Sequence, residues 1–163
     1  METRMGPRVE FLVRRLREEG ESLTGQLTRL AAAEWSAAVY PAATVPWTVH
    51  RILAHMVSAE GYIRLMMADI VRGGSGAPPG IDIDAVNAVE VAALARFSPP
   101  ELIEQLSSSR AASVEMVSGF SGADLDRRGN HPLLGEMPVE DFVKLIYRHD
   151  KMHMRDVQRA MKA

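Results

Sequence analysis

An all-α four-helix bundle is the fold class this sequence predicts, and three observations predict it. Hydrophobic residues recur at spacings of three and four in four separate windows, the signature of amphipathic helices. No segment alternates with period two over a useful length, and β-branched residues do not cluster, so no sheet is expected. One long Gly/Pro-rich segment supplies the crossover that many such bundles contain.

The first helix is expected over residues 8–34, with Val9, Leu12, Leu16, Leu23, Leu27 and Leu30 inward. Gly20 is its weak point, at ~1 kcal/mol against Ala. Pro41 and Pro46 then break the chain. Thr48 is a good N-cap for a second helix running to residue 72. Residues 73–80, Gly-Gly-Ser-Gly-Ala-Pro-Pro-Gly, read as a loop. A shorter helical segment, 84–96, is apolar at Val86, Val89, Ala93 and, just beyond it, Phe97. Ser98-Pro-Pro-Glu101 combines an N-cap serine, an early proline and a glutamate at the third position. It launches the third main helix, with Leu102, Leu106, Val114 and Val117 inward. The last helix runs over 138–161, with Glu140 and Asp141 in its first turn and Arg159 and Lys162 near its end, as the helix dipole favours.

Bulk properties narrow the function classes. At 163 residues the chain suits one domain, 1–163, and one core. A net charge of −2, with 19 basic residues dispersed among 21 acids, leaves no basic footprint for nucleic acid. There is no cysteine, which excludes disulfides, a thiol nucleophile and thiolate metal ligands. The N-terminus lacks the apolar core of a signal peptide, and no window reaches the length of a membrane span. The expectation is a cytoplasmic protein without membrane partners.

The informative residues are histidines. His149 and His153 are four apart on the last helix, about 400° of rotation, so their rings lie on one face one turn apart. Phe142, Ile146, His149, His153, Val157 and Ala160 follow the helical spacing, which puts both histidines on the inward stripe. On the second helix Ile52, His55, Ala59, Ile63 and Met66 form a similar stripe, so His55 also faces inward. Partnerless imidazoles are costly to bury. Three of them on two helices point to a three-histidine metal site with open coordination positions, a pattern more typical of catalytic than of structural sites. The alternative for each is a satisfied core histidine.

The remaining polar residues have simpler readings. His50 lies about 140° around the helix from His55 and is expected at the surface. His131, before Pro132, is expected to be a turn residue rather than a fourth ligand. Asn87 either lines a cavity or is solvated. Glu60 is expected in a helix-surface salt bridge, with support of a ligating histidine as the alternative. Met56, Met66, Met67, Met152 and Met154 are expected in core and interface packing, and Trp47 at the end of the bundle.

Trp47-Thr-Val followed by Ile52-Leu-Ala-His55-Met-Val-Ser-Ala-Glu60 resembles the second-helix motif of the DinB-like (YfiT-like) metalloprotein superfamily. Arg148-His149 with His153 resembles that family's closing motif, and Asn87, Ser98-Pro-Pro-Glu-Leu and His131-Pro-Leu-Leu-Gly-Glu-Met resemble its connecting segments. The resemblance covers nearly the whole chain. It implies an up-down-down-up four-helix bundle, often a homodimer. It implies a divalent metal held by one histidine of the second helix and two of the last, which match His55, His149 and His153. Asp150 stands where the family often has glutamate. Characterised relatives include transferases and isomerases that use low-molecular-weight thiols such as mycothiol or bacillithiol. Zinc, nickel and iron all accept imidazole, so the ligand set leaves the metal open. Two functions follow as expectations: a metalloenzyme for thiol-dependent transfer or isomerisation, or hydrolysis, and a bundle that binds metal or a small ligand without turnover.

Overall fold

The computed structural model describes residues 5–43 and 45–163; the leading residues 1–4, part of the N-terminus read above for a signal segment, lie outside it. Four long helices carry the architecture: α1 (Pro7–Thr28), α2 (Val49–Val71), α4 (Pro99–Ser118) and α6 (Val139–Met161). Between them lie β1 (Ala38–Tyr40), β2 (Trp47–Thr48), α3 (Ile83–Leu94), α5 (Gly122–Asp126), β3 (Arg128–His131) and β4 (Gly135–Pro138). α1 packs beside α4 and α6, and α2 packs beside the same two. Cross-helix contacts fix the directions. Arg8 meets Glu140 at the start of α6 and Gln158 meets Gln26 near its end, so α1 and α6 run parallel. His50, at the start of α2, bonds to Phe97, just before α4, and Arg64, two-thirds along α2, bonds to Ser109, half-way along α4, so α2 and α4 also run parallel. His55 meets His149, which sets α2 against α6. The order is up-down-down-up, with α3 in the crossover.

The caps explain the helix starts. Thr48 Oγ1 accepts the Arg51 backbone N–H at 3.3 Å, and Glu101 accepts the Ser98 N–H at 2.7 Å. α1 ends at Thr28, six residues short of the expected limit at residue 34. The reason lies in Glu34, whose carboxylate accepts the Ala31 N–H at 2.6 Å and starts a separate 3-10 turn, Ala32–Ser36. On α3 the expected stripe is displaced: Val91 is buried, whereas Val89 is 68% exposed.

The expectation of no sheet is corrected. β1 pairs antiparallel with β2, and β3 with β4, as two separate two-stranded ribbons. Strands of two to four residues are too short to write a period-two signal into a sequence. Gly135, at φ +76°, closes the second ribbon in a conformation that favours glycine.

The apolar core is divided in two. One cluster gathers Leu12, Leu16, Ile63, Met67, Phe142 and Ile146; the other gathers Leu23, Leu27, Ile52, Leu53, Leu106 and Met154. On each long helix the interval between the clusters holds a residue that is not apolar: Gly20, Glu60, Arg110 and Asp150. Together they form a polar layer across the bundle. Met56, Met66 and Met67 are at most 4% exposed, so the core reading of these methionines holds, whereas Met152 is 45% exposed. No helix among the described residues is long and apolar enough to cross a membrane.

Candidate metal centre

α2 and α6 bring the three predicted histidines together at one level of the bundle. His55 Nε2 lies 3.0 Å from His149 Nε2, and His153 Nε2 lies 3.1 Å from the same atom. The ligating atoms of all three fall within 4.8 Å of one another. His55 and His153 are buried and His149 is half-buried. The four-residue spacing on α6 delivers two of the rings, and the start of α2 delivers the third.

The donor chemistry of this cluster fits a cation better than it fits three free imidazoles. A neutral imidazole nitrogen offers either one proton or one lone pair in the ring plane. His149 Nε2 faces two other Nε2 atoms, so it cannot make two well-directed hydrogen bonds. Two nitrogens held at ~2.0–2.1 Å from one ion, at tetrahedral or octahedral angles, sit ~2.9–3.4 Å apart. The observed separations of 3.0 and 3.1 Å fall within that range. Burial lowers the His55 pKa to about 4 and that of His149 to about 2, with the neighbouring histidines adding to the effect. Burial also lowers that of His153, against a small opposing pull from Asp156. All three are therefore neutral, with lone pairs available, at neutral pH.

The first ribbon covers this cluster. Trp47 on β2 meets the His55 ring edge-on at a centroid distance of 5.2 Å, which places the tryptophan against the site as well as at the bundle end. Tyr40 on β1 has its hydroxyl 3.2 Å from His153 Nδ1 and donates to Asp156. Burial, and next the Asp156 carboxylate, hold the Tyr40 hydroxyl above the usual phenol range, so it keeps its proton. Tyr40 and Asp156 were not legible as site residues, because their roles arise from a ribbon the sequence does not announce.

Below the histidines lies the polar layer. Arg110 Nε donates to Glu60 Oε1 at 2.8 Å, Nη2 to Asp150 Oδ2 at 2.6 Å, and Nη1 to the Leu16 carbonyl at 3.0 Å. Ser113 Oγ donates to Glu60 Oε1 at 2.8 Å. Glu60 is 2% exposed, which corrects the expected surface salt bridge: the ion pair exists, but it is internal. It displaces Ala59, only half-buried, from the expected stripe. Asp150 turns away from the histidines and toward Arg110. Burial raises its pKa to about 7, with Arg110 pulling it back only in part, because one guanidinium serves two carboxylates. Gly20 makes the layer possible. A Cβ there would lie 2.9 Å from both Cγ and Nη1 of Arg110.

His50 is half-buried rather than at the surface, since its Nε2 donates to the Phe97 carbonyl at 2.8 Å; it takes no part in the histidine cluster. His131 is a turn residue, its Nδ1 accepting the Leu133 and Leu134 N–H groups at 3.2 Å. Asn87 lines a separate groove with Gly61, Tyr62 and Leu65.

Comparison with known proteins bears on the fold. No curated protein matches the chain. Among solved structures, YfiT from Bacillus subtilis, described as a probable metal-dependent hydrolase with an unusual four-helix bundle topology, superposes with a TM-score of 0.73 at 14% identity, over 99% of this chain and 90% of its own. An uncharacterized protein from Clostridium difficile 630 gives a TM-score of 0.74 at 14% identity, over 98% of both chains. The mycothiol-dependent maleylpyruvate isomerase gives 0.73 at 16% identity over 91% of this chain, which spans only 60% of the isomerase. At 14–16% identity these superpositions show a shared fold alone. The DinB superfamily model matches residues 15–157, and the chain belongs to that superfamily.

Proposed function

We propose that His55, His149 and His153 hold one divalent metal ion, and that the protein uses it to activate a low-molecular-weight thiol for transfer or isomerisation. The observation that carries this reading is the convergence of three neutral Nε2 atoms at 3.0 and 3.1 Å. When bound, the ion supplies Lewis acidity, which favours the deprotonated form of a thiol or water beside it. The chain's own residues do the rest. The three imidazoles add no negative charge, so the ion keeps its full positive charge. Trp47 and Tyr40 wall the site with aromatic surface and limit water around it. With no cysteine in the chain, the nucleophilic sulfur comes from the small-molecule partner. The mycothiol-dependent isomerase among the structural neighbours supports the thiol class. YfiT supports water in the same role, and hence hydrolysis, as the second enzymatic reading.

Metal-loaded protein screened by thermal shift against several low-molecular-weight thiols tests this. A thiol-dependent rise in melting temperature that His149→Ala abolishes is the expected result. Metal uptake with no response to any thiol contradicts the thiol reading and favours a bundle that binds metal without this chemistry. We also infer a homodimer. The family resemblance implies it, but the α2 methionines expected in core and interface packing are buried; Leu65 on α2 and Val89 on α3, each 68% exposed, offer apolar surface instead. Sedimentation at micromolar concentration tests it, and a monomer contradicts it.

A further inference from the structure

We propose that Tyr40 and Asp156 form a relay that fixes His153 as its Nδ1–H tautomer and so turns the Nε2 lone pair toward the other two histidines. Tyr40 carries a single hydroxyl proton. Its oxygen lies close against Asp156 Oδ2, and a carboxylate only accepts, so the proton lies between them. Toward His153 the same oxygen can then only accept. The contact of 3.2 Å to Nδ1 therefore requires the proton to sit on Nδ1. A neutral imidazole with its proton on Nδ1 has a bare Nε2. In water the Nε2–H form is the commoner one, and it would aim a proton into the cluster. Asp156 is itself held: its second oxygen, Oδ1, accepts from Arg159 Nη1 at 3.1 Å.

The contrast with His55 sharpens the point. His55 Nδ1 is buried and has no hydrogen-bond partner, so no group outside the cluster fixes that ring's tautomer. Of these two buried rings, His153 alone is oriented by an outer partner. Tyr40 is thus a positioning residue, acting through His153, and the β1–β2 ribbon has a role beyond covering the bundle end. The relay deepens the metal reading above, but its test does not need the metal.

The experiment is nitrogen-15 NMR of the full chain, histidine-labelled and metal-free, with the His153 signal assigned by its loss in His153→Gln. Wild type should show His153 as the Nδ1–H tautomer. Tyr40→Phe keeps the ring but removes the acceptor, and should give a mixture. Asp156→Asn should invert the tautomer. Arg159 retains the amide oxygen, the amide NH2 donates to Tyr40, and the phenol proton turns toward His153 Nδ1. Metal affinity should fall ~10–100-fold in both variants, the usual cost of losing such an outer partner. An Nε2–H tautomer at His153 in wild type, or an unchanged Nδ1–H tautomer in Asp156→Asn, overturns the relay. If the tautomers behave as stated but no metal is taken up, the relay stands and the metal reading falls.

Discussion

Gly20→Ala is a substitution whose sign the polar layer reverses. In an ordinary mid-helix position the change stabilises by ~1 kcal/mol through helix propensity. Here the new Cβ would lie 2.9 Å from Cγ and from Nη1 of Arg110. A surface arginine would swing aside. Arg110 is 6% exposed, and its guanidinium is pinned by Glu60, Asp150 and the Leu16 carbonyl. Moving it weakens at least one hydrogen bond to a charged group, ~1.5–3 kcal/mol. Overpacking adds ~1–3 kcal/mol. After the propensity gain, the net loss is ~1.5–5 kcal/mol. For a chain of this size each kcal/mol moves the melting temperature by ~2–4 °C, so a fall of ~3–20 °C is expected by scanning calorimetry. The control is the same change in an Arg110→Ala background, where Cγ and Nη1 are both gone and alanine should stabilise. A Gly20→Ala variant that melts above wild type would refute the claim that the glycine exists to admit Arg110.

Other perturbations follow from the same layer and from the histidines. Arg110→Met strips the cation from two buried carboxylates and should cost ~3–5 kcal/mol by urea denaturation; adding Glu60→Gln should restore part of it, and no restoration would show that the pair is not coupled. Chelator-treated protein should lose stability as pH falls below ~6.5, the unfolded histidine value. The folded pKa values of His55, about 4, and His149, about 2, lie lower, so the unfolded chain binds more protons in that window. Asp150, raised to about 7, works in the opposite direction, its stabilising contribution being complete below ~3.9 and lost as pH rises through 7. The histidines outnumber it, so the urea midpoint should be higher at pH 7.5 than at pH 5; a flat or inverted profile would mean that they are not buried neutral.

What could be read in the sequence was whatever has a local cause. Thr48 and Ser98 with Glu101 announce helix starts, because the cap is made within three residues. The spacing of His149 and His153 sets their shared face, because helix geometry alone does so. The stripe containing His55 turned it toward the same core. What escaped depends on residues far apart in the chain. Arg110 sits inward on α4 only because Glu60 and Asp150 on two other helices meet it there, and because Gly20 on a third leaves space. Gly20 taken alone reads as a defect. Tyr40 reaches His153 across 113 positions, through a three-residue strand too short to betray itself. Glu60 was read as a surface charge because charged residues are buried only with partners, and its partner is 50 residues away.

The most direct test of the metal centre is metal content per chain, by mass spectrometry, for wild type, His55→Ala, His149→Ala, His153→Ala and the control His50→Ala. His50 has the same chemistry and lies on the same helix as His55, but its ring is engaged with the Phe97 carbonyl. About one divalent ion per chain is expected in wild type and in His50→Ala. Each of the other three variants should lose most of it. Full metal content in all three triad variants would contradict the account, and loss in His50→Ala with retention in His55→Ala would assign the α2 ligand to His50 instead of His55.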